Sequence, residues 1–327
     1  MWRKGNRATT GARMWATATA DAHQRPVTQC GPHPNPRQHF TMNPKLVAIT
    51  GTTGELGREV AERVARSGLP MRLLVRDCDR APQMPNTDVR EASYEDVDAF
   101  ATAVSGADTV FLVSLPESEQ RRALHRSAID ACRQAGVNRI VYTSFTNPSP
   151  DAVFTLARDH YDTEQALESS GIPFTALRNN LYIEMIPNLV TAGVIRGPAG
   201  DGQFAPVART DVATVAARVI VDGFDNNQRL EVSGPERIDL HQAATLMSEI
   251  TGNPVRYINE TIDEAFQSRA HLDATRFELE AWISSYTSIA AGEMSNVCDT
   301  VAKLTGRPAQ TPRERLTQYL SATTTSC

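Results

Sequence analysis

The sequence predicts an α/β fold, a doubly wound parallel sheet with a smaller, mostly helical lobe at its C-terminal end. Two observations lead to this fold class. Short β-rich runs alternate with amphipathic stretches between residues 46 and 178, and a glycine triplet joins the first run to the first helical stretch. Regular alternation of strands and helices is typical of a parallel sheet covered by helices on both faces.

The predicted strands of this sheet are short and apolar. The first comprises residues 46–50, and five more follow at 71–77, 87–93, 108–114, 138–144 and 172–178. Beyond residue 178 the pattern loosens into a glycine-rich loop, further helices and two short strand-like runs, RLEVSG and PVRYI. We therefore expect a Rossmann-type core over residues 42–180 and a smaller substrate lobe over residues 181–327, interleaved with the core.

Residues 1–41 differ from the rest of the chain. They contain six basic side chains and a single acid, Asp21, and they lack helical and strand periodicity, so we expect a disordered leader. Met42 is followed at once by the first strand and resembles a natural start site, which favours a leader that the native protein does not contain. An organellar transit peptide, which is also rich in arginine and poor in acids, is the alternative.

The composition argues against several classes of protein. From Met42 onward the chain carries 27 basic and 37 acidic side chains, and an acidic body argues against binding to nucleic acid. No stretch approaches the roughly 18 consecutive apolar residues of a membrane span. The five cysteines are scattered without metal-like spacing, so we expect no metal site, no disulfide framework and a cytoplasmic location.

The glycine triplet Gly51, Gly54 and Gly57 lies at the end of the first strand and the start of the first helix. At this spacing the first glycine turns the chain sharply, the second lets backbone approach a phosphate, and the third lets the helix pack closely. The helix N-terminus adds free N–H groups and a positive dipole end. We call this segment the glycine loop and expect it to bind a dinucleotide through Gly51, Thr52, Thr53, Gly54, Glu55, Leu56 and Gly57.

Arg76 closes the second predicted strand, where a Rossmann-type unit contacts the adenosine ribose. An acid at this position selects NAD, whereas a guanidinium offers forked donors to the 2′-phosphate of NADPH. Arg76 therefore favours NADPH as the cofactor, although Asp77 beside it weakens that preference. The alternative is that Arg76 lies on the surface at the strand end and binds nothing.

Several segments together resemble one family, namely TGTTGELG, LLVR, the strand end YTS, and the runs TEQALESSGIPFTALRNN and GPAGDGQFAPVARTDVATVAARVI. They are similar to the NmrA-like branch of the atypical short-chain dehydrogenases, and most similar to its bacterial NADPH:quinone oxidoreductase 2 type, over about residues 44–320. This resemblance implies an NADPH-dependent oxidoreductase that reduces quinones by direct hydride transfer without flavin. The same frame also carries redox sensors, so a non-catalytic NADP-binding regulator with a protein partner is the alternative.

The chain departs from the better-known dehydrogenases at their Tyr-xxx-Lys pair, in which tyrosine donates a proton. Counting back from Glu164, a recurrent glutamate of the family, places Leu156 at the tyrosine position and His160 at the lysine position. By this resemblance His160 is the candidate catalytic residue, either as a modest acid or as part of the nicotinamide pocket. His125 is expected to be an ordinary surface or capping residue.

Three hydroxyl side chains, those of Ser114, Thr143 and Ser144, end the fourth and fifth predicted strands. Ligands of open α/β sheets bind at this carboxyl edge, so we expect these hydroxyls to hold the ribose or the nicotinamide carboxamide. Alternatively, each hydroxyl only satisfies backbone groups at its strand end.

The resemblance also implies contacts from residues that follow the sixth strand. Asn179, Asn180 and Tyr182 are expected to touch the cofactor or the quinone. The glycine-rich loop of residues 197–202, with Phe204, is expected to fold over the ring of the bound ligand. Arg209 and Asp211 are expected to form a structural pair at a helix start. The expected partner is a small quinone, and a second copy of the chain is a further candidate.

Overall fold

The computed structural model describes residues 45–223 and 226–325, so the expected leader at 1–41 lies outside the described residues. The strands in this part of the chain are β1 Val47–Thr50, β2 Met71–Val75, β3 Thr87–Glu91, β4 Thr109–Leu112, β5 Arg139–Phe145, β6 Phe174–Asn179, β7 Val190–Thr191, β8 Val194–Gly197, β9 Gln228–Val232 and β10 Arg256–Asn259. The helices are α1 Glu55–Ala65, α2 Val97–Val104, α3 Arg121–Gln134, α4 Thr155–Ser170, α5 Ile186–Leu189, α6 Arg209–Asp222, α7 Leu240–Thr251, α8 Ile262–Arg269, α9 Arg276–Ala290, α10 Thr300–Thr305 and α11 Pro312–Thr325.

Seven parallel strands form the main sheet in the order β3-β2-β1-β4-β5-β6-β9. The order reverses between β1 and β4, and in a doubly wound sheet the ligand crevice opens at this point, outside the carboxyl ends of the strands. The predicted fold class is confirmed, and each of the six predicted strands is present with its ends shifted by a few residues.

The sequence pattern places β9 in the smaller lobe, but this strand is the seventh of the main sheet and pairs with β6. Helix α6 likewise packs against α1 on one face of this sheet. Its small buried residues, among them Ala213 and Ala216, allow the two helices to approach closely. The smaller lobe therefore interleaves with the core, because the chain returns to the sheet after β8.

Two apolar clusters cover the two faces of the main sheet. Alternate residues of a strand point to opposite faces, so Val47 and Ile49 join the cluster under α1 and α6 while Ala48 joins the one under α2 and α3. Burying both faces explains why the strands are apolar throughout and do not alternate with polar residues.

A third cluster holds the smaller lobe together. The three-stranded sheet β10-β8-β7 packs with α7, α9 and α11 around Phe204, Tyr257 and Ile289. Capping boxes begin α7, α8 and α9, each closed by a glutamine or glutamate three residues after the N-cap. Among the described helices, none is both long enough and apolar enough to cross a membrane.

Candidate cofactor and substrate site

The glycine loop presents backbone to solvent at the carboxyl end of β1. Helix α1 begins at Glu55 with Gly54 as N-cap, and no side chain of the described residues caps its first N–H groups. A Cβ on Gly57 would lie 2.2 Å from the carbonyl oxygen of Gly51, so the third glycine is required by direct contact between helix and loop. Gly51 itself has φ of +67°. Uncapped donors beside exposed backbone fit the diphosphate of a dinucleotide.

The other loop residues differ in what they expose. Thr52 and Leu56 are buried and face the protein interior, whereas Thr53 is half-buried. The Glu55 side chain is exposed, and its carboxylate pairs with the guanidinium of Arg209. Because carboxylate and phosphate repel each other, Glu55 is able to serve a bound diphosphate only through its backbone.

Arg76 is exposed directly after β2 and forms no ion pair with any residue that the structure describes. Its neighbour Asp77 is occupied locally, because the carboxylate accepts a hydrogen bond of 3.0 Å from the Asp79 backbone N–H and caps a short 3₁₀ turn. The acid beside Arg76 is thus directed to its own turn, and its competition with a 2′-phosphate is reduced.

A cavity of about 230 Å³ opens at the carboxyl ends of β4, β5 and β6, between the main sheet and the smaller lobe. It adjoins the glycine loop, because a Cβ on Gly51 would lie 3.0 Å from the side chain of Val113, the residue before Ser114. Eight of the residues singled out from sequence line it: Ser114, Thr143, Ser144, His160, Asn179, Asn180, Tyr182 and Phe204. The glycine loop and Arg76 lie outside the cavity, further along the same sheet edge.

The strand-end hydroxyls serve the protein and face the cavity as well. Thr143 Oγ1 accepts a 2.7 Å hydrogen bond from the Ser114 backbone N–H and keeps its own proton to donate. Ser144 Oγ donates to Glu164 Oε1 at 2.6 Å, and Arg178 holds that buried carboxylate at 2.7 Å. A strand-end hydroxyl can therefore bond to the protein and still contact a ligand. Ser144 differs, because its proton is already donated to Glu164.

The two asparagines after β6 have different roles. Asn180 donates to the Met294 carbonyl and accepts from the Leu181 N–H, both at 2.8 Å, so its amide is used within the fold. Asn179 donates weakly to Tyr182 Oη at 3.4 Å, and its own Oδ1 is buried without a partner in the described residues. An unpaired buried acceptor is costly unless a ligand satisfies it, so Asn179 is the asparagine with capacity left for a ligand.

His160 is buried on α4 and lines the cavity. Its Nε2 lies 2.9 Å from an Arg121 nitrogen, which can only donate, so Nε2 accepts and the proton resides on Nδ1, 2.9 Å from Tyr142 Oη. Burial first, and then the charge of Arg121, lower the pKa of His160 well below its ordinary value of 6.5. The ring is therefore neutral at physiological pH and orients a guanidinium, and its one N–H is directed at Tyr142.

Arg121 is the main polar residue that sequence reasoning missed. It begins α3, is almost fully buried and lines the cavity, with Nε donating to the Leu115 carbonyl at 2.8 Å and Nη1 lying 3.3 Å from Asp159. The expectation that His125 lies on the surface is also wrong: His125 is buried, and its Nε2 accepts from the Leu115 N–H at 2.9 Å. Both side chains secure the loop that follows β4.

The lobe side of the cavity is largely apolar. Trp282 of α9 donates from Nε1 to Glu117 at 2.6 Å, which ties this lobe to the loop after β4. A Cβ on Gly197 would lie 2.3 Å from the Tyr286 ring, so the glycine-rich loop packs beneath α9. The remaining apolar lining comprises Leu115, Phe145, Phe154, Leu156, Leu181, Met185, Ile186, Leu189, Phe204, Leu240, Ala281 and Ile289.

The expected pair of Arg209 with Asp211 is wrong. Asp211 is buried and pairs with Arg307 at 2.7 Å, while also accepting from the Gln310 N–H at 2.7 Å. Arg209 instead points to Glu55 of the glycine loop. Residues two apart on a helix point in different directions, which separates their partners.

Comparison with known proteins agrees with this geometry. The profile of a family described as NAD(P)H-binding matches residues 51–223. The chain belongs to the NAD(P)H-binding NmrA-like family. It is 31% identical to quinone oxidoreductase 2 of Escherichia coli, covering 84% of this chain and 99% of that protein, and 32% identical to (4-alkanoyl-5-oxo-2,5-dihydrofuran-3-yl)methyl phosphate reductase of Streptomyces griseus, covering 85% and 99%.

Solved structures give the same assignment. The NADPH complex of the Escherichia coli quinone oxidoreductase superposes with a TM-score of 0.77 over 84% of this chain and 99% of that one. The transcriptional regulator NmrA in complex with NADP shares the fold, at 16% identity and a TM-score of 0.68 over 85% and 95%. The relatives at 31% and 32% identity are named an oxidoreductase and a reductase. A nicotinamide dinucleotide is the cofactor that fits the glycine loop.

Proposed function

We propose that this chain is an NADPH-dependent oxidoreductase that reduces quinones by direct hydride transfer. One observation carries the proposal: the cavity adjoins the glycine loop, is mainly apolar, and holds Leu156 and His160 where related dehydrogenases carry their proton-donating pair. Leu156 has no proton to donate, and the lowered pKa of His160 keeps its ring neutral, with its single N–H directed at Tyr142. A quinone tolerates this loss, because its reduced form is a stabilised anion that can take its proton from water.

The cofactor would be held by backbone N–H groups and, at its 2′-phosphate, by an arginine. The uncapped N–H groups at the start of α1 would bind its diphosphate, and Arg76, which no described residue pairs, would bind the 2′-phosphate of NADPH. Bound there, NADPH supplies the hydride. Thr143, which keeps a free proton, would orient the nicotinamide end where the cofactor enters the cavity.

The substrate would lie against the aromatic side chains of the cavity. Phe145 and Phe154 both line the cavity, with ring centroids 4.8 Å apart and ring planes inclined by 58°, and Trp282 lies on the lobe side. Flat apolar walls favour a planar ring. Burial raises the pKa of Tyr182 to about 12, so its hydroxyl stays protonated and can donate to a quinone carbonyl.

Arg121 would supply the electrostatic stabilisation. Hydride transfer leaves a negative charge on the quinone oxygen. A buried cation that is already held in place stabilises this charge without having to reorganise during the reaction. Asp159 balances part of the Arg121 charge at 3.3 Å, and His160 fixes the guanidinium at 2.9 Å. His160 is thus proposed to act as a positioning residue.

The comparisons support the same interpretation at the level of substrate class. The Escherichia coli relative is named a quinone oxidoreductase and the Streptomyces griseus relative a reductase of an unsaturated lactone, so both act on small conjugated acceptors. The cytoplasmic location, and a second copy of the chain as partner, stay part of this proposal.

The test follows oxidation of NADPH by its absorbance with a panel of soluble quinones, beside a simple ketone. We expect turnover of quinones and none of the ketone, because hydride transfer to a ketone forms a poorly stabilised alkoxide that needs a proton donor positioned beside it. Tight NADPH binding without turnover of any quinone would contradict the enzyme proposal and favour the NADP-binding sensor.

A further inference from the structure

We propose that Arg209 binds the diphosphate of the cofactor. While the cofactor is absent, the Arg209 guanidinium pairs with the Glu55 carboxylate instead. This inference rests on the proposed dependence on NADPH. It concerns the junction between the glycine loop and the cavity, where the Arg209 side chain lies between Glu55 and Tyr182.

The position of Arg209 is fixed from both ends. Its backbone N–H donates to the buried Glu184 carboxylate at 3.0 Å, which caps the start of α6. Arg63 of α1 donates to the next residue, Thr210, at 2.6 Å and to Thr214, one turn further, at 3.1 Å, which binds α6 to α1. The Arg209 side chain therefore projects from a rigid helix start toward the N-terminus of α1.

The guanidinium lies between the two halves of the site. It pairs with Glu55, the first residue of α1, and its carbon lies 5.1 Å from the centroid of the Tyr182 ring, which lines the cavity. A dinucleotide bound at the glycine loop must pass this junction to place its nicotinamide in the cavity. Its diphosphate would then lie within reach of the guanidinium.

Charge and exposure explain why Arg209 is expected to leave Glu55 for the diphosphate. The Arg209 side chain is 14% exposed whereas that of Glu55 is 61% exposed, so the carboxylate can rotate into water at little cost. A diphosphate offers more negative charge and better bidentate geometry than one exposed carboxylate. Binding would therefore move Arg209 from Glu55 to the diphosphate, and Glu55 opposes binding until it is released.

The experiment is a double-mutant cycle on NADPH affinity, measured by calorimetric titration of the full chain. Arg209→Ala should weaken NADPH binding by roughly 10- to 100-fold, the value of a charge-assisted contact. Glu55→Gln should strengthen binding several-fold. Adenosine 2′,5′-bisphosphate, which lacks the diphosphate bridge, should bind all variants within about twofold of wild type. Arg218→Ala, on the exposed side of the same helix, is the matched control.

The double variant decides between direct contact and mere neutralisation of Glu55. If Arg209 binds the diphosphate, Glu55→Gln with Arg209→Ala stays weak, whereas full recovery of wild-type affinity would overturn the proposal. Equal NADPH affinity of wild type and Arg209→Ala would also overturn it and leave the cofactor assignment intact. Should Arg209→Ala lose its cooperative thermal transition, Arg209→Gln replaces it in the same cycle. Failure of wild type to bind NADPH would instead reject the proposed function itself.

Discussion

The glycine loop offers a ligand its backbone, whereas the cavity wall is made of side chains from distant parts of the chain. In the loop, a Cβ on residue 57 would lie only 2.2 Å from the Gly51 carbonyl oxygen, so this position accepts no residue larger than glycine. In the wall, Arg121, His160 and Trp282 come from three different helices. A site built of backbone tolerates few residue types, while one built of side chains can change its substrate by substitution and keep its fold.

The largest effect is expected where the loop has no room. Gly57→Ala places a methyl group against the backbone of Gly51, which cannot yield as a flexible side chain would, so NADPH affinity should fall by at least about a hundredfold. Titration with NADPH measures it. Gly252→Ala is the control, because that glycine has open space and should lose only about 1 kcal/mol of stability for its φ of +69°. Equal losses of NADPH affinity in the two variants would mean that the close contact at Gly57 does not determine cofactor binding.

Cofactor choice should depend on one exposed side chain at the loop end of the site. Arg76→Ala is expected to reduce the preference for NADPH over NADH by roughly 10- to 100-fold, since a charge-assisted contact to the 2′-phosphate contributes about 1.5–3 kcal/mol. Arg133→Ala removes another exposed charge, on α3, and should leave the cofactor preference unchanged. An unchanged cofactor ratio in Arg76→Ala would place the 2′-phosphate elsewhere.

In the cavity, quinone turnover should depend on His160 as a hydrogen-bond acceptor for Arg121 and not on His160 as an acid. His160→Leu removes the partner of Arg121 and should slow quinone turnover by about 10- to 100-fold, whereas His160→Gln keeps an acceptor oxygen and should lose less. Because the pKa of His160 is well below 6.5, the wild-type kcat should show no inflection near that pH. Such an inflection, absent from His160→Gln, would establish His160 as the proton donor.

The smallest effect concerns stability at low pH. His125 and His160 are neutral in the fold because burial lowers both pKa values, so below about pH 6.5 the unfolded chain binds protons that the fold does not. The free energy of unfolding should thus be constant above that pH and fall below it, by up to about 1.4 kcal/mol per histidine per pH unit. Urea unfolding of wild type and His160→Gln measures the slope, with His241→Gln, an exposed position, as control. An equal slope in wild type and His160→Gln would contradict a neutral His160.

The sequence was sufficient for the backbone half. Glycine spacing, a preceding apolar run and a following helical pattern are local signals, and they predicted β1, the turn and α1. The strand-end positions of Ser114 and Thr143 followed from the same alternation, since the carboxyl ends of parallel strands meet at one edge, whereas Asn179 was implied by the family resemblance.

The side-chain half could not be obtained in this way. Arg121 and His125 lie on a helix whose charged residues suggest a solvated face, and only the packing of α3 against α4 shows that both are buried. Strand β9 has no local signal for its partner, because pairing with β6 depends on the path of the chain. The partners of Arg209 and Asp211 are likewise decided by elements far away in sequence.

We propose that the glycine loop and the cavity act on one pair of reactants, with hydride passing from a cofactor on the glycine loop to a quinone in the cavity. A single-turnover experiment tests it most directly: protein loaded with NADPH, or with NADPH deuterated at the transferred position, is mixed rapidly with a soluble benzoquinone. We expect one NADPH to be oxidised per site and a slower rate with deuterium. Bound NADPH that stays reduced in the presence of every quinone would contradict it.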